Sequence, residues 1–246
     1  NMTPLHEVII NNKTTINPVW IMRQAGRYLP EFREIRKENS NFIELCLNHK
    51  LSSEITLQPI KRFDFDAAII FSDILMLPYG LNQKVEFKKN FGPTLGNLDI
   101  KSMSKIDEID FVEKIYPVYK AIKSVSLEMN SKNKNTIGFV GAPWTLLVYM
   151  INQQSPKKNV KKDFFKDDFL INRILLIIEK FLKIHIKNQI ENGANVIQIF
   201  DSWAGLLEER DYPNYIYTPT LNLVDYVKTL NVPVICFPRE IKNYKE

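Results

Sequence analysis

The sequence predicts an α/β protein with a parallel sheet of the (β/α)8-barrel type. Three observations carry that expectation. First, five short and mostly apolar runs, at residues 19–22, 67–71, 136–141, 196–200 and 232–237, have the length of buried strands. Second, segments with helical spacing of apolar residues separate most of these runs, the alternation of βαβ units. Third, each run is followed at once by residues suited to a site: Arg23, Ser72 and Asp73, Pro143 and Trp144, Asp201 and Ser202, and Arg239. Groups gathered at the carboxyl ends of successive parallel strands form one site in a barrel. No glycine-rich phosphate fingerprint follows the first run, which argues against a dinucleotide-binding sheet.

Taken in order, residues 1–17 are polar and read as a lead-in segment. The run at 19–22 is the first strand, broken by Arg23, Gln24, Ala25, Gly26 and Arg27 and closed off by Pro30. Residues 31–37 suit a helix, and Ser40 or Asn41 can cap a short one reaching past Cys46 to His49. A further helix spans about 53–62, with Pro59 inside it. After the strand at 67–71, residues 77–91 read as loop and short strand, and Gly92 with Pro93 as a turn. Ser104 or Asp107 starts a helix reaching about Met129, with Pro117 within it. The strand at 136–141 leads to an apolar helix over 144–151. Residues 153–168, with lysines at 157, 158, 161 and 162, form a solvated loop, with a substrate-facing lid as the other reading. A long amphipathic helix over 170–192 stops at Gly193, and 212–230 holds turns and then a helix.

The composition bounds the function. A chain of 246 residues with 45% hydrophobic residues fits one large domain or two small ones, and we expect a single barrel domain over 1–246. The net charge of +5 is modest and the lysines are interspersed with acids, so no nucleic-acid stripe is expected. A mild positive field favours an anionic substrate. Cys46 and Cys236 lie far apart in apolar runs, as buried free thiols of a reducing compartment do. His6, His49 and His185 are isolated, so no metal site is expected; His185 suits packing or surface. No apolar span of membrane length occurs, and the expected location is cytoplasmic.

Four stretches carry a resemblance to a known family: PVWIMRQAGRYLPEFREIR at 18–36, FDFDAAIIFSDIL at 63–75, GFVGAPWTLLVYM at 138–150 and FDSWAG at 200–205. In type and order they resemble the uroporphyrinogen decarboxylases. That resemblance implies a (β/α)8 barrel, a tetrapyrrole substrate with eight carboxylates, and removal of carbon dioxide from four acetate arms. The product is coproporphyrinogen III, no metal or organic cofactor takes part, and the enzymes commonly form homodimers. It also implies site roles. Asp73 matches the aspartate that binds the pyrrole nitrogens; Arg23, Arg27 and Arg36 match carboxylate-binding arginines. Gln24 and Ala25 lie between the first two. Tyr149 matches a tyrosine near the reacting acetate, and Ser202 a hydroxyl residue that meets a carboxylate arm. From the residues alone, Asp73 and Ser202 suit helix caps equally well, Tyr149 a core aromatic, and the arginines an exposed loop.

The sequence departs from the family pattern in three places. Asn152, Gln153 and Gln154 stand where an acidic residue and glycines are usual, which implies a stiffer loop, and Asn82 replaces a glycine. Only about five of eight βα units can be counted, so the barrel is expected to be C-terminally incomplete, without the late histidine that lines the family's site. Two other readings follow: a non-catalytic remnant of the enzyme, and a corrinoid-linked methyltransferase of the same superfamily. The latter needs a zinc cluster that this sequence does not offer.

Overall fold

The computed structural model describes residues 2–156 and 166–243. The lysines at 157, 158, 161 and 162 lie outside the described residues. Four strands, β1 (Ala67–Ile69), β4 (Asn135–Gly141), β5 (Val196–Asp201) and β6 (Val234–Pro238), form one parallel sheet in the order β1-β4-β5-β6. Ala68 lies opposite Thr136, Phe139 opposite Gln198, and Ile199 opposite Cys236. This is a partial (β/α) barrel, with the strands side by side in chain order. A second, antiparallel pair, β2 (Val85–Lys88) and β3 (Gly92–Leu95), forms a hairpin outside the sheet.

The alternation of strand side chains divides the core in two. Ala67, Ile69, Ile137 and Val196 point to one face and pack with Leu5, Trp20, Phe139 and Phe200. The intervening Ala68, Ile70, Val140, Ile197 and Ile199 join the large helix-facing core. Most of that core's helical side comes from α7 (Glu108–Ser131), α8 (Pro143–Asn152) and α9 (Asp168–Glu191). Each starts as its sequence dictates: Asp107 accepts from Ile109 N, Pro143 occupies the first turn of α8, and Asp167 accepts from Leu170 N. Asp107, not Ser104, is the cap of α7. Between β5 and β6 lies α10 (Thr218–Thr229).

Residues 2–80 supply α1 (Pro4–Asn11), α2 (Pro30–Glu38), α3 (Phe42–Cys46), α4 (His49–Phe63) and α5 (Met76–Gly80). α6 (Ile100–Met103) is one turn before α7. Helix α1 lies within the segment that the sequence reads as a polar lead-in. Thr3 caps it by accepting from His6 N, Pro4 opens it, and Leu5 carries it into the inner face of the sheet.

The expected strand at 19–22 does not form. Val19 and Ile21 are 54% and 52% exposed, and the backbone meets β1 only at its foot. Val19 N donates to Asp66 Oδ2 at 2.6 Å, and Asp66 N donates to Val19 O at 2.9 Å. Above that point a side chain takes the place of the ladder. Gln24 Oε1 accepts from Ile21 N at 3.0 Å while Gln24 Nε2 donates to Ala67 O at 2.9 Å. The amide thus bridges the two backbones, and no ladder joins them among the described residues.

The two cysteines also divide. Cys46 is buried as expected, but Cys236 is exposed, because it lies on β6, which has one neighbouring strand among the described residues. His185 is buried between α7 and α9, where Tyr119 Oη and His185 Nδ1 are 2.9 Å apart, a packing role.

Candidate active site

A cavity of about 440 Å³ opens at the carboxyl ends of β1, β4 and β5. Arg23, Gln24, Ala25, Asp73, Tyr149 and Ser202 all line it. Residues from four distant stretches of chain therefore converge on one space. Ile69, Phe139 and Phe200 from the strands form an apolar floor, and Phe42, Phe71 and Phe87 form a wall. Among the described residues, the charged side chains at its lining are Arg23 and Asp73.

Asp73 sits in the turn after β1. One carboxylate oxygen, Oδ1, accepts from Leu75 N at 2.8 Å, an Asx turn that leads into α5. The capping role that the sequence also allowed is therefore present, and it uses one oxygen of two. Burial pushes the Asp73 carboxyl up to about 6, against the lowering effects of the Leu75 N–H and of Arg23. Arg23 is close enough to act on Asp73 electrostatically, yet the two form no ion pair. A carboxylate held in this way faces the cavity with Arg23 nearby but not in contact as an ion pair.

Tyr149 lies on α8, with its ring 6.0 Å from that of Trp203, edge to face. Burial raises its phenol above the ordinary range. The loop carrying Ser202 and Trp203 is tied back to α8 by three bonds. Thr145 Oγ1 donates to Asp201 Oδ1 at 2.6 Å, Trp203 N donates to Thr145 Oγ1 at 3.1 Å, and Trp144 Nε1 donates to Trp203 O at 2.9 Å. These bonds fix the Ser202 wall relative to the Tyr149 wall.

Gln24 reaches the cavity, but both ends of its amide are committed to backbone, so it shapes the loop. Tyr28 Oη donates to Gln24 O and holds the same loop from the other side. Arg27 and Arg36 do not line the 440 Å³ cavity. They lie in an adjoining hollow of about 820 Å³ between α2 and the β2–β3 hairpin, which shares Phe42 and Phe87 with the inner space. Arg36 Nη1 donates to Asn39 O and Ser40 O at 2.7 and 2.8 Å.

One feature has no signal in the sequence: the aromatic wall draws Phe42 and Phe87 from α3 and the hairpin, whose packing no periodicity reveals. Asp201, expected with Ser202 at the site, is instead buried, and its Oδ2 has no hydrogen-bond partner among the described residues. It lies on the helix-facing side of the sheet, outside the cavity, and burial pushes it up to about 7. Among the described residues, no three His, Cys, Asp or Glu side chains converge as metal ligands. No helix among them is long and apolar enough to cross a membrane.

Comparison with known proteins follows the same lines. The family model described as uroporphyrinogen decarboxylase matches residues 2–244. A relative from Rickettsia bellii bearing that name is 42% identical over 226 residues, covering 90% of this chain and 66% of the relative. One from Campylobacter jejuni, of the same name, is 41% identical over 237 residues, with 94% and 69% covered. The chain thus spans about two thirds of the length of these curated relatives. Among solved structures, a methyltransferase from Methanosarcina mazei superposes with a TM-score of 0.75 over 96% of this chain and 69% of that one. At 17% identity that likeness shows a shared fold alone.

Proposed function

This chain belongs to the uroporphyrinogen decarboxylase family, and on that premise we propose that it decarboxylates the four acetate arms of uroporphyrinogen III. The observation that carries the proposal is the unpaired Asp73 carboxylate beside Arg23 in an aromatic-walled cavity. The chemistry needs such a pair. Loss of carbon dioxide sends the electrons of the C–C bond towards the pyrrole, which must first be protonated on carbon to accept them. Cleavage then leaves an exocyclic methylene. Protonation of that methylene gives the methyl group, and loss of the ring proton restores the pyrrole, so each arm consumes one proton net.

Asp73 would hold the pyrrole N–H groups and stabilise the cation formed by ring protonation. A preoriented charge in a site with little water is worth far more than one in bulk solvent. Arg23 would hold a carboxylate arm in its planar fork of donors. Tyr149, opposite, would hydrogen-bond near the reacting acetate, and Ser202 a further arm. Arg27 and Arg36 would meet arms that extend into the outer hollow. The same reading takes the chain as a cofactor-free cytoplasmic homodimer, as the family resemblance implies.

The test is turnover. Purified chain is incubated anaerobically with uroporphyrinogen III, and products are separated by carboxylate number. Species with seven down to four carboxylates are expected, and Asp73→Asn should lower kcat by about two to three orders of magnitude. Folded protein that releases no carbon dioxide would sink the proposal and favour a non-catalytic remnant of the enzyme.

A further inference from the structure

The inner cavity has one arginine and one carboxylate among its lining charges, so its own charge balance is close to zero. A ligand with eight carboxylates cannot be matched there. The adjoining hollow has the opposite character. Arg27, Arg33, Arg36, Lys37, Lys88 and Lys89 line it, and among the described residues no Asp or Glu does. Lys37 is paired with Glu34 at 2.8 Å; the other five form no ion pair among the described residues. Five unpaired cations around one concavity repel one another, and Arg27 contributes to holding Arg36 below its ordinary range, after burial. Such an arrangement favours an anion of several charges.

The hollow is also built, not a chance gathering of surface side chains. Arg33 Nη1 donates to Arg27 O and Tyr28 O at 2.8 and 3.2 Å, which aims the guanidinium and stiffens the arginine loop. Arg36 is anchored at one nitrogen only, and its guanidinium lies 5.7 Å from the Phe42 ring centre. Across the hollow, Phe87 of the hairpin meets Phe42 with ring centres 4.6 Å apart. The hairpin is fastened to the end of α8. Leu95 N donates to Gln153 O at 2.8 Å, Thr94 bridges to Gln154, and buried Gln83 donates to Gly96 O and Met150 O at 3.0 and 2.9 Å. These bonds seat the base of the hairpin, and Lys88 and Lys89 lie at its tip, on the rim of the hollow.

We infer that this hollow is an outer anionic subsite, in which Lys88, Lys89 and Arg33 hold the carboxylate arms of the tetrapyrrole that the inner cavity does not engage. The inference rests on the decarboxylase reading for the identity of the ligand. It adds a consequence: affinity falls as carboxylates are lost, so the eight-carboxylate form is preferred over the four-carboxylate product. Lys88 and Lys89 are then determinants of specificity by charge number.

The probes are two unreactive oxidised porphyrins, uroporphyrin with eight carboxylates and coproporphyrin with four, titrated by fluorescence at low and moderate salt. Wild-type protein should prefer uroporphyrin, the more so at low salt. The Lys88→Gln/Lys89→Gln variant should weaken uroporphyrin by about five- to tenfold and coproporphyrin by less than about twofold. Charge reversal to glutamate should deepen the difference. In turnover, the same lysine variant should lose on KM for the eight-carboxylate substrate. Equal effects on both porphyrins, or no wild-type preference, would overturn the subsite. Turnover with an unchanged lysine variant would remove the subsite alone. A preference abolished by the lysine variant in a chain without turnover would remove the catalytic reading alone.

Discussion

Asp73 combines two properties that elsewhere exclude each other: burial that favours its neutral form and a task that needs its charge. With its carboxyl at about 6, the native state holds a proton that the unfolded chain has already released from about pH 4 upwards. The native state is therefore favoured at low pH, and that contribution is lost as pH rises through 6. The charged form used in catalysis is the one the fold disfavours. Two opposite results should follow. The acid limb of kcat/KM should bend near pH 6, since protonated Asp73 cannot stabilise a cation. Thermal unfolding at pH 8 should show Asp73→Asn raised by a few degrees, since roughly 1–3 kcal/mol of buried-charge cost is removed. A variant that is both inactive and no more stable would show that the carboxylate is compensated by a group not in view. Asp73 was legible in the sequence as a carboxylate in apolar company at the end of a strand. Its division of labour was not, because it depends on the fold bringing one oxygen to Leu75 N while the residue still borders the cavity.

At the scale of elements, the apolar runs at 67–71, 136–141, 196–200 and 232–237 announced the sheet, since few other structures bury consecutive apolar residues over so short a length. The run at 19–22 carried the same pattern and is not a strand. Hydrophobicity reports what a segment would bury, and says nothing of a neighbouring side chain that occupies its pairing edge. Gln24 is that side chain, and it predicts its own test. Replacing it with Leu keeps the volume but leaves Ile21 N and Ala67 O without partners. The loss should be about 2–3 kcal/mol by denaturant unfolding, and hydrogen exchange should speed at Ile21 first. Unchanged exchange there would mean that the Asp66 contacts alone seat the segment. Helix α1 failed in the opposite sense. Thr3 and Pro4 form a readable start signal, but a polar surrounding hid it. The outer hollow was illegible for a third reason. Its lysines come from a hairpin whose position depends on bonds to the end of α8, far away in sequence.

For the whole molecule, three buried groups set the response to pH. His185 is lowered to about 3 by burial, so the native state refuses a proton that the unfolded chain accepts below about 6.5. Its contribution is complete above that pH and is lost as pH falls towards 3. Asp201, raised to about 7, works the other way, and its contribution is lost as pH rises through 7. Asp201→Asn, which can keep the bond from Thr145, should flatten the loss of stability between pH 5 and 8. His185→Leu with Tyr119→Phe, which removes the pair together, should move the acid-unfolding midpoint downwards. Melting curves across pH 4 to 8 distinguish both from wild type, and parallel curves would refute the assignment. The strand order has a consequence in time as well. Among the described residues, each strand of the sheet lies beside the sheet strand made just before it, so each of β4, β5 and β6 finds its neighbour already synthesised. The sheet can widen in step with the ribosome, the newest strand always docking onto a finished edge.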